Sequence, residues 1–92
     1  MLMIYSKKLG KCYNVKHIQQ FHIGRVENKT NDGVFIDFCI RCIIGNREVD
    51  LTETCCKEKC CKILDELVRE INHYSEKNNN IIYIDKIIED LK

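Results

Sequence analysis

From residue 34 to residue 44 every even position is apolar: Val34, Ile36, Phe38, Ile40, Cys42 and Ile44. The odd positions, Phe35, Asp37, Cys39, Arg41 and Ile43, are mixed. Successive side chains on a strand point to opposite faces, so this period of two predicts a strand whose even set faces the core. The period then changes. Between residues 52 and 74, Cys60, Cys61, Leu64, Leu67, Val68 and Ile71 fall together on a helical wheel. Lys62, Asp65, Glu66, Arg69 and Glu70 lie on the flanks or opposite. A helix with one apolar face must lie on something apolar, and a sheet built by residues 1–51 is the expected support. Thr52 or Thr54 can cap its start. Glu58–Lys62, Lys62–Glu66 and Asp65–Arg69 stand four apart on its solvated side.

The rest of the chain reads as shorter pieces. Residues 2–6 predict a strand, residues 7–11 turn at Gly10, and residues 12–15 return to complete a hairpin. Residues 16–20 fit either a loop or a single helical turn. Residues 21–26 predict a third strand, in which Gly24 marks a bulge or a close approach. Residues 28–33, ending in Asp-Gly, predict a turn before the long strand. Gly45-Asn46 leads to a fifth strand over 47–51, with Val49 and Leu51 pointing inward. Residues 75–80 are polar and predict a break after the helix. Residues 81–84 are β-like, Asp85 is placed to cap a last turn or two, and Ile87, Ile88 and Leu91 share a face. A tail this apolar is expected to pack on its own domain, because small domains need every apolar contact. The alternative is a surface offered to a partner. The expected fold class is α+β: a curved antiparallel sheet of about five strands, one long amphipathic helix on one face, and a short C-terminal strand/helix tail. The expected division of a single domain, 1–92, is a β-meander over 1–51, the helix over 52–75 and the tail over 81–92.

Composition narrows the function classes. With 92 residues, 45% of them hydrophobic, the chain suits one globular domain with a modest core. The net charge of +1 provides no global field toward nucleic acid. Residues 1–50 carry eight basic against five acidic side chains, and residues 51–92 carry seven against nine, so any basic face is weak. Lys7, Lys8, Lys11, Lys16 and Arg25 can gather along one edge, with only Tyr5 and Tyr13 as neighbouring aromatics. A nucleic-acid groove normally adds stacking aromatics and a larger surplus. The first residues hold no apolar run of signal-peptide length, and no run approaches a membrane span. The expected location is the cytoplasm, with no membrane partner.

Seven cysteines in a reducing compartment are expected to be free thiols packed as small apolar groups. Cys39-Ile40-Arg41-Cys42 has the spacing of a zinc knuckle. A knuckle needs a tight turn, and residues three apart on a strand point to opposite faces. Cys55, Cys56, Cys60 and Cys61 form a second cluster, in which Cys56 and Cys60 can share a helix face. Two ligands are not a site, and others would have to come from Cys12, Cys42, His17, His22 or His73. No metal and no cofactor are expected; a metal, if held, would fall to Cys55, Cys56, Cys60 and Cys61. The packing alternative places Cys60 and Cys61 in the core, with Cys55 and Cys56 at its edge. A helix N-terminus favours a thiolate at Cys55 or Cys56. A nucleophile also needs a base and an oxyanion site. The histidines are scattered, with His22 on the outer sheet face and His73 near the helix end, so no catalytic site is expected.

The outer face of the long strand is the stronger candidate. Phe35, Cys39 and Ile43 are apolar, with Asp37 and Arg41 between them. One helix covers one face of a sheet, so the other needs the tail, a second protomer or a foreign partner. An apolar patch rimmed by charge is how binding surfaces look.

Leu51-Thr52-Glu53 at a strand end is followed by a small residue, Cys60, and then by Ile63-Leu64, Leu67, Ile71 and the tail run Ile82-Tyr83-Ile84. In these positions the chain resembles small sheet-plus-helix accessory proteins encoded by phages and mobile elements of low-GC Gram-positive bacteria. The resemblance covers most of the chain through packing positions. It departs at the four helix cysteines and in the tail, where a proline is usual. It implies an accessory protein, some of whose mobile-element neighbours counter host defences. The expected function is a non-enzymatic protein that binds and occludes a host macromolecule, a protein or ribonucleoprotein complex. An inhibitor of a bacterial defence system such as a CRISPR effector is the example. Phe35, Asp37, Cys39, Arg41 and Ile43 would form the contact face, and a homodimer is compatible with it. The alternatives are a nucleic-acid-binding accessory protein, a cysteine-cluster metal or redox module, and a sponge for a signalling nucleotide.

Overall fold

A computed structural model describes residues 1–74 and 79–91. Its elements are β1 (Leu2–Ser6), β2 (Lys11–Asn14), β3 (Ile18–Thr30), β4 (Gly33–Ile44), β5 (Arg47–Asp50), α1 (Lys57–His73), β6 (Asn80–Tyr83) and α2 (Ile84–Asp90). The α+β class is as expected, and the tail does form a short strand and helix; the single curved five-stranded sheet is not found. The strands form two three-stranded sheets, β2–β1–β6 and β3–β4–β5, and two helices accompany them. The separation occurs at a 3-10 turn, Val15–His17, where the Asn14 side chain accepts a hydrogen bond from the Lys16 backbone N–H (3.0 Å). The turn takes Val15 from the predicted return strand and Lys16 and His17 from the ambiguous stretch, and it leads β3 out of the first sheet.

The tail supplies the strand that the antiparallel expectation lacked. β6 runs parallel to β1, with Leu2 opposite Asn80 and Ile4 opposite Ile82. A parallel pair needs a long crossover, here most of the chain. The Tyr5 and Tyr83 rings meet edge-on at 6.0 Å. Ile82, Ile84 and Ile87 are buried, so the tail packs on its own domain. Asp85 does not cap α2, which starts directly off β6 without a side-chain cap. Its carboxylate instead accepts the Lys7 backbone N–H at 2.6 Å.

The segment before α1 behaves differently from the expected helix start. Leu51 N–H donates to the Ile40 carbonyl (2.8 Å), and Ile40 N–H donates to Thr52 Oγ1 (3.0 Å). Phe38 and Cys55 then exchange both backbone hydrogen bonds, at 2.9 and 2.7 Å. Residues 51–55 therefore extend the edge of β4. Thr52 serves that edge rather than a helix, and α1 begins five residues later with no side-chain bond from its Cys56 cap. α1 ends at His73; the predicted break over 75–80 falls partly on residues 75–78, outside the described residues.

The buried face of α1 is also turned. Cys60, Ile63 and Leu67 are buried, and Leu64, Ile71 and Tyr74 pack beside them. Cys61 is exposed and Val68 is 44% exposed, contrary to their expected place in the core. Counting Cys61 and Val68 in and leaving Ile63 out shifts the wheel's centre by roughly 40°. The core joins both sheets and both helices: Ile4, Ile40, Leu51, Ile63, Leu67 and Ile84 are fully buried.

β3 runs far beyond its predicted 21–26, while β4 keeps its predicted 34–44 to within one residue. The ladder runs to Thr30 opposite Gly33, so the turn shrinks to Asn31-Asp32. Thr30 Oγ1 accepts the Asp32 N–H at 3.2 Å, and Gly33 takes φ 132°, a backbone open to glycine. The result is elongated, 51 × 32 × 20 Å. Its radius of gyration is 13.9 Å, where a compact chain of this length has about 12 Å. Gly24 makes no bulge; the register shift lies between Ile18 and Gln20. Its reason is a close approach, since a Cβ there would lie 2.5 Å from Arg41 Cδ.

Candidate functional site

α1 and residues 51–55 cover β4 only from Phe38 onward. A 17-residue helix spans about 25 Å, and a 12-residue strand about 40 Å. The strand must overhang its cover. Beyond Phe38 neither β5 nor residues 51–55 accompany it, and residues 27–36 form a two-stranded arm in which every residue is exposed. Val34 and Ile36, expected in the core by their even numbers, are 57% and 45% exposed; Phe35 between them is 53% exposed. Three adjacent large apolar side chains thus stand in water at the far end of a ribbon. The missed signal was length: an eleven-residue alternation is too long for one helix to cover.

The five predicted contact residues do share the outer face of β4, and the structure treats them unequally. Phe35 is exposed on the arm. Asp37, Arg41 and Ile43 are half-buried. Cys39 is 1% exposed and so is not a surface residue. Its cross-strand partner is Gly24, and Arg41 reaches over that glycine to Asp50, with Nε donating to Oδ1 at 2.8 Å. The Cys39 thiol donates to the same oxygen at 3.7 Å. Burial first, and the Asp50 charge second, push this thiol upward. His22, opposite Arg41, is on the outer face as expected, with Nε2 2.9 Å from Glu48 Oε1. The two groups are close without an aligned hydrogen bond. The outer face near the core is therefore covered by its own polar contacts, Arg41 with Asp50 and His22 beside Glu48, and its apolar end lies on the arm.

The cysteines separate in the same way. Cys39 and Cys42 lie on opposite faces of β4, so no knuckle forms. Cys12, Cys56 and Cys61 are exposed. The pair brought together is Cys55 with Cys60, Sγ to Sγ 3.2 Å, and not Cys56 with Cys60. Burial pushes the Cys60 thiol up to about 12, with the neighbouring Cys55 adding to the effect. Burial also raises Cys42 to about 11. Among the described residues no group of three or more His, Cys, Asp or Glu is placed to hold a metal ion. Cys55 lines a cleft of about 270 Å³ with Ser6, Lys8, Glu53, Lys59 and Asp85.

Three of the five predicted basic-edge residues are engaged within the chain, while Lys7 and Lys8 border one shallow surface with Lys86 and the acidic Asp85, Glu89 and Asp90. Lys8 pairs with Glu53 (3.1 Å), Arg25 with Glu27 (3.3 Å), and Lys11 Nζ donates to the Asp50 carbonyl (3.3 Å). No described helix is long and apolar enough to cross a membrane. Comparison with protein-family models, with curated proteins and with solved structures found no match for this chain. Fold and site define an α+β protein with two small sheets and a projecting, apolar-tipped β-arm.

Proposed function

We propose that the chain is a non-enzymatic binding protein that acts by laying its β3–β4 arm against the surface of another protein and occluding it. The observation that carries this reading is the exposed run Val34, Phe35 and Ile36 at the end of a ribbon with no cover of its own. An isolated two-stranded ribbon is at best marginal in water, and contiguous exposed apolar surface marks interaction sites. Beyond Phe38 both ribbon edges also offer free backbone donors and acceptors, the means of strand addition to a partner. A protein suits the tip better than nucleic acid, because Lys8, Lys11 and Arg25 are engaged within the chain. Asp37 and Arg41 supply charge at the base of the contact. That the target belongs to a host defence system, a CRISPR effector for example, rests on the family resemblance alone.

The test is Phe35→Asp with Ile36→Asp in the full chain, its fold checked by circular dichroism. Sedimentation reads self-association, and quantitative capture from host lysate reads a foreign partner. The wild-type chain should hold one partner stoichiometrically, and the folded variant should lose it by about tenfold or more. A folded variant that keeps the partner, or a wild-type chain that neither self-associates nor captures one, overturns the proposal.

A further inference from the structure

Two separate devices bring Cys55 and Cys60 together. Cys55 is held at the sheet edge by its paired backbone bonds to Phe38. Cys60 lies in the first turn of α1, its N–H donating to the Cys56 carbonyl at 3.1 Å. The sulfurs stand 3.2 Å apart although neither residue is bound to the other through the backbone. Their exposure differs: Cys60 is fully buried, while Cys55 is half-buried and borders the cleft beside Lys8 and Lys59. A reagent in the cleft meets one thiol, and the second waits directly behind it.

We propose that Cys55 and Cys60 form an oxidisable dithiol, in which Cys55 attacks a peroxide that reaches the cleft and Cys60 closes an intramolecular disulfide. In the first step the Cys55 sulfur, as thiolate, forms an S–O bond while the peroxide O–O bond breaks. The departing hydroxide takes the thiol's proton as water, leaving a sulfenic acid. In the second step the Cys60 sulfur forms the S–S bond as the S–O bond breaks. The Cys60 proton leaves with the departing hydroxide as the second water. Two thiols lose two electrons in all, and one peroxide becomes two waters. The roles follow from access: Cys55 is reachable, whereas Cys60 is held protonated by burial and is shielded from direct oxidation. The new bond would tie residues 51–55 to α1 beside Phe38, at the base of the arm.

The test uses the full chain, reduced and then treated with stoichiometric hydrogen peroxide, followed by alkylation, intact mass and a tryptic map. Trypsin cuts after Lys57 and Lys59 and so separates Cys55 from Cys60. The expected product is a monomer that has lost two hydrogens, with fragmentation placing the link at Cys55–Cys60. It should form within about twofold of the wild-type rate in the Cys56→Ser/Cys61→Ser variant, since both exposed thiols lie outside the pair. In Cys55→Ser the oxidation of Cys60 should slow by about tenfold or more. A dominant Cys56–Cys61 link overturns the proposal. So do disulfide-linked dimers, or exposed thiols that gain two oxygens while Cys55 and Cys60 stay reduced. The wild-type map decides even where a variant folds poorly.

Discussion

The two ends of β4 carry the same kinds of side chain in opposite surroundings. Ile40 and Cys42 have no exposed surface, whereas Val34 and Ile36, on the same face of the same strand, are largely in water. Residue type does not separate them. What separates them is the reach of the covering segment: β5 pairs β4 as far as Arg41, and residues 51–55 continue that edge only to Phe38. A hydrophobic alternation reports which side chains share a face; the length of the covering element decides how many of them are buried. The core end is stabilised by its own packing. The arm is ordered only as an extension of that end, and its apolar tip remains to be covered from outside.

The harshest way to test this division is to damage the core end. Leu67 is fully buried where α1 meets the sheet. Leu67→Ala should cost about 2–5 kcal/mol in urea unfolding, the transfer loss plus a cavity. For a domain of this size that is a large share of the total. Amide exchange should show the arm losing protection together with the core. Arm amides that keep their protection while the core opens would make the arm an independent unit and undo the comparison.

A second core effect comes from pH. Burial raises Cys42 to about 11 and Cys60 to about 12 from an ordinary 9.0, and raises Cys39 as well. The folded chain then keeps protons that the unfolded chain releases. Stability is complete below pH 9.0 and falls as pH rises toward the folded values. Cys42 alone should account for on the order of 2 kcal/mol by about pH 11. Urea midpoints between about pH 8 and pH 11 in reductant should fall, and less steeply in Cys42→Ala. An equal slope in that variant would remove Cys42 from the account. The arm holds none of these thiols.

The same contrast explains what was legible in the sequence. β1, β4 and β5 were readable because short turns and strict alternation are local signals. The α+β class followed from one period-two stretch and one helical stretch. The parallel β1–β6 pair was not readable, since nothing in Asn80–Tyr83 specifies which edge it joins. Thr52 looked like a helix cap because a hydroxyl before an amphipathic run usually is one. Here a tertiary demand won, the Ile40 N–H that β5 leaves without a ladder partner. Of the candidate face, Phe35 was identified correctly as exposed. Cys39 was not identified as buried, because its cover is the long Arg41 side chain lying over Gly24. The Cys55–Cys60 pair was hidden for a similar reason: Cys55 lies outside the helix on which its spacing was judged.

Gly24 provides a smaller and sharper test. A Cβ there would meet Arg41 Cδ, Nε and Nη1 at 2.5, 2.7 and 2.8 Å. Arg41 is flexible enough to swing away, at the loss of its bond to Asp50. Gly24→Ala should therefore cost about 1 kcal/mol. In an Arg41→Ala background the same change should become neutral or stabilising by about 0.5–1 kcal/mol, because glycine weakens a strand interior. Costs that simply add would show that the glycine serves something other than the arginine.

The smallest expected effect bears most directly on the arm. Phe35→Ser with Ile36→Thr removes apolar surface that is about half exposed, 53% and 45%. If the arm stands free, the change should alter stability by no more than about 0.5 kcal/mol, as surface substitutions usually do. A loss well above that would mean the tip is covered in the isolated protein. Since this chain places no cover on it among the described residues, the cover would then be another copy, and the loss should grow with protein concentration. A concentration-independent loss would instead place the tip against its own chain, and the arm would no longer be the surface that faces a partner.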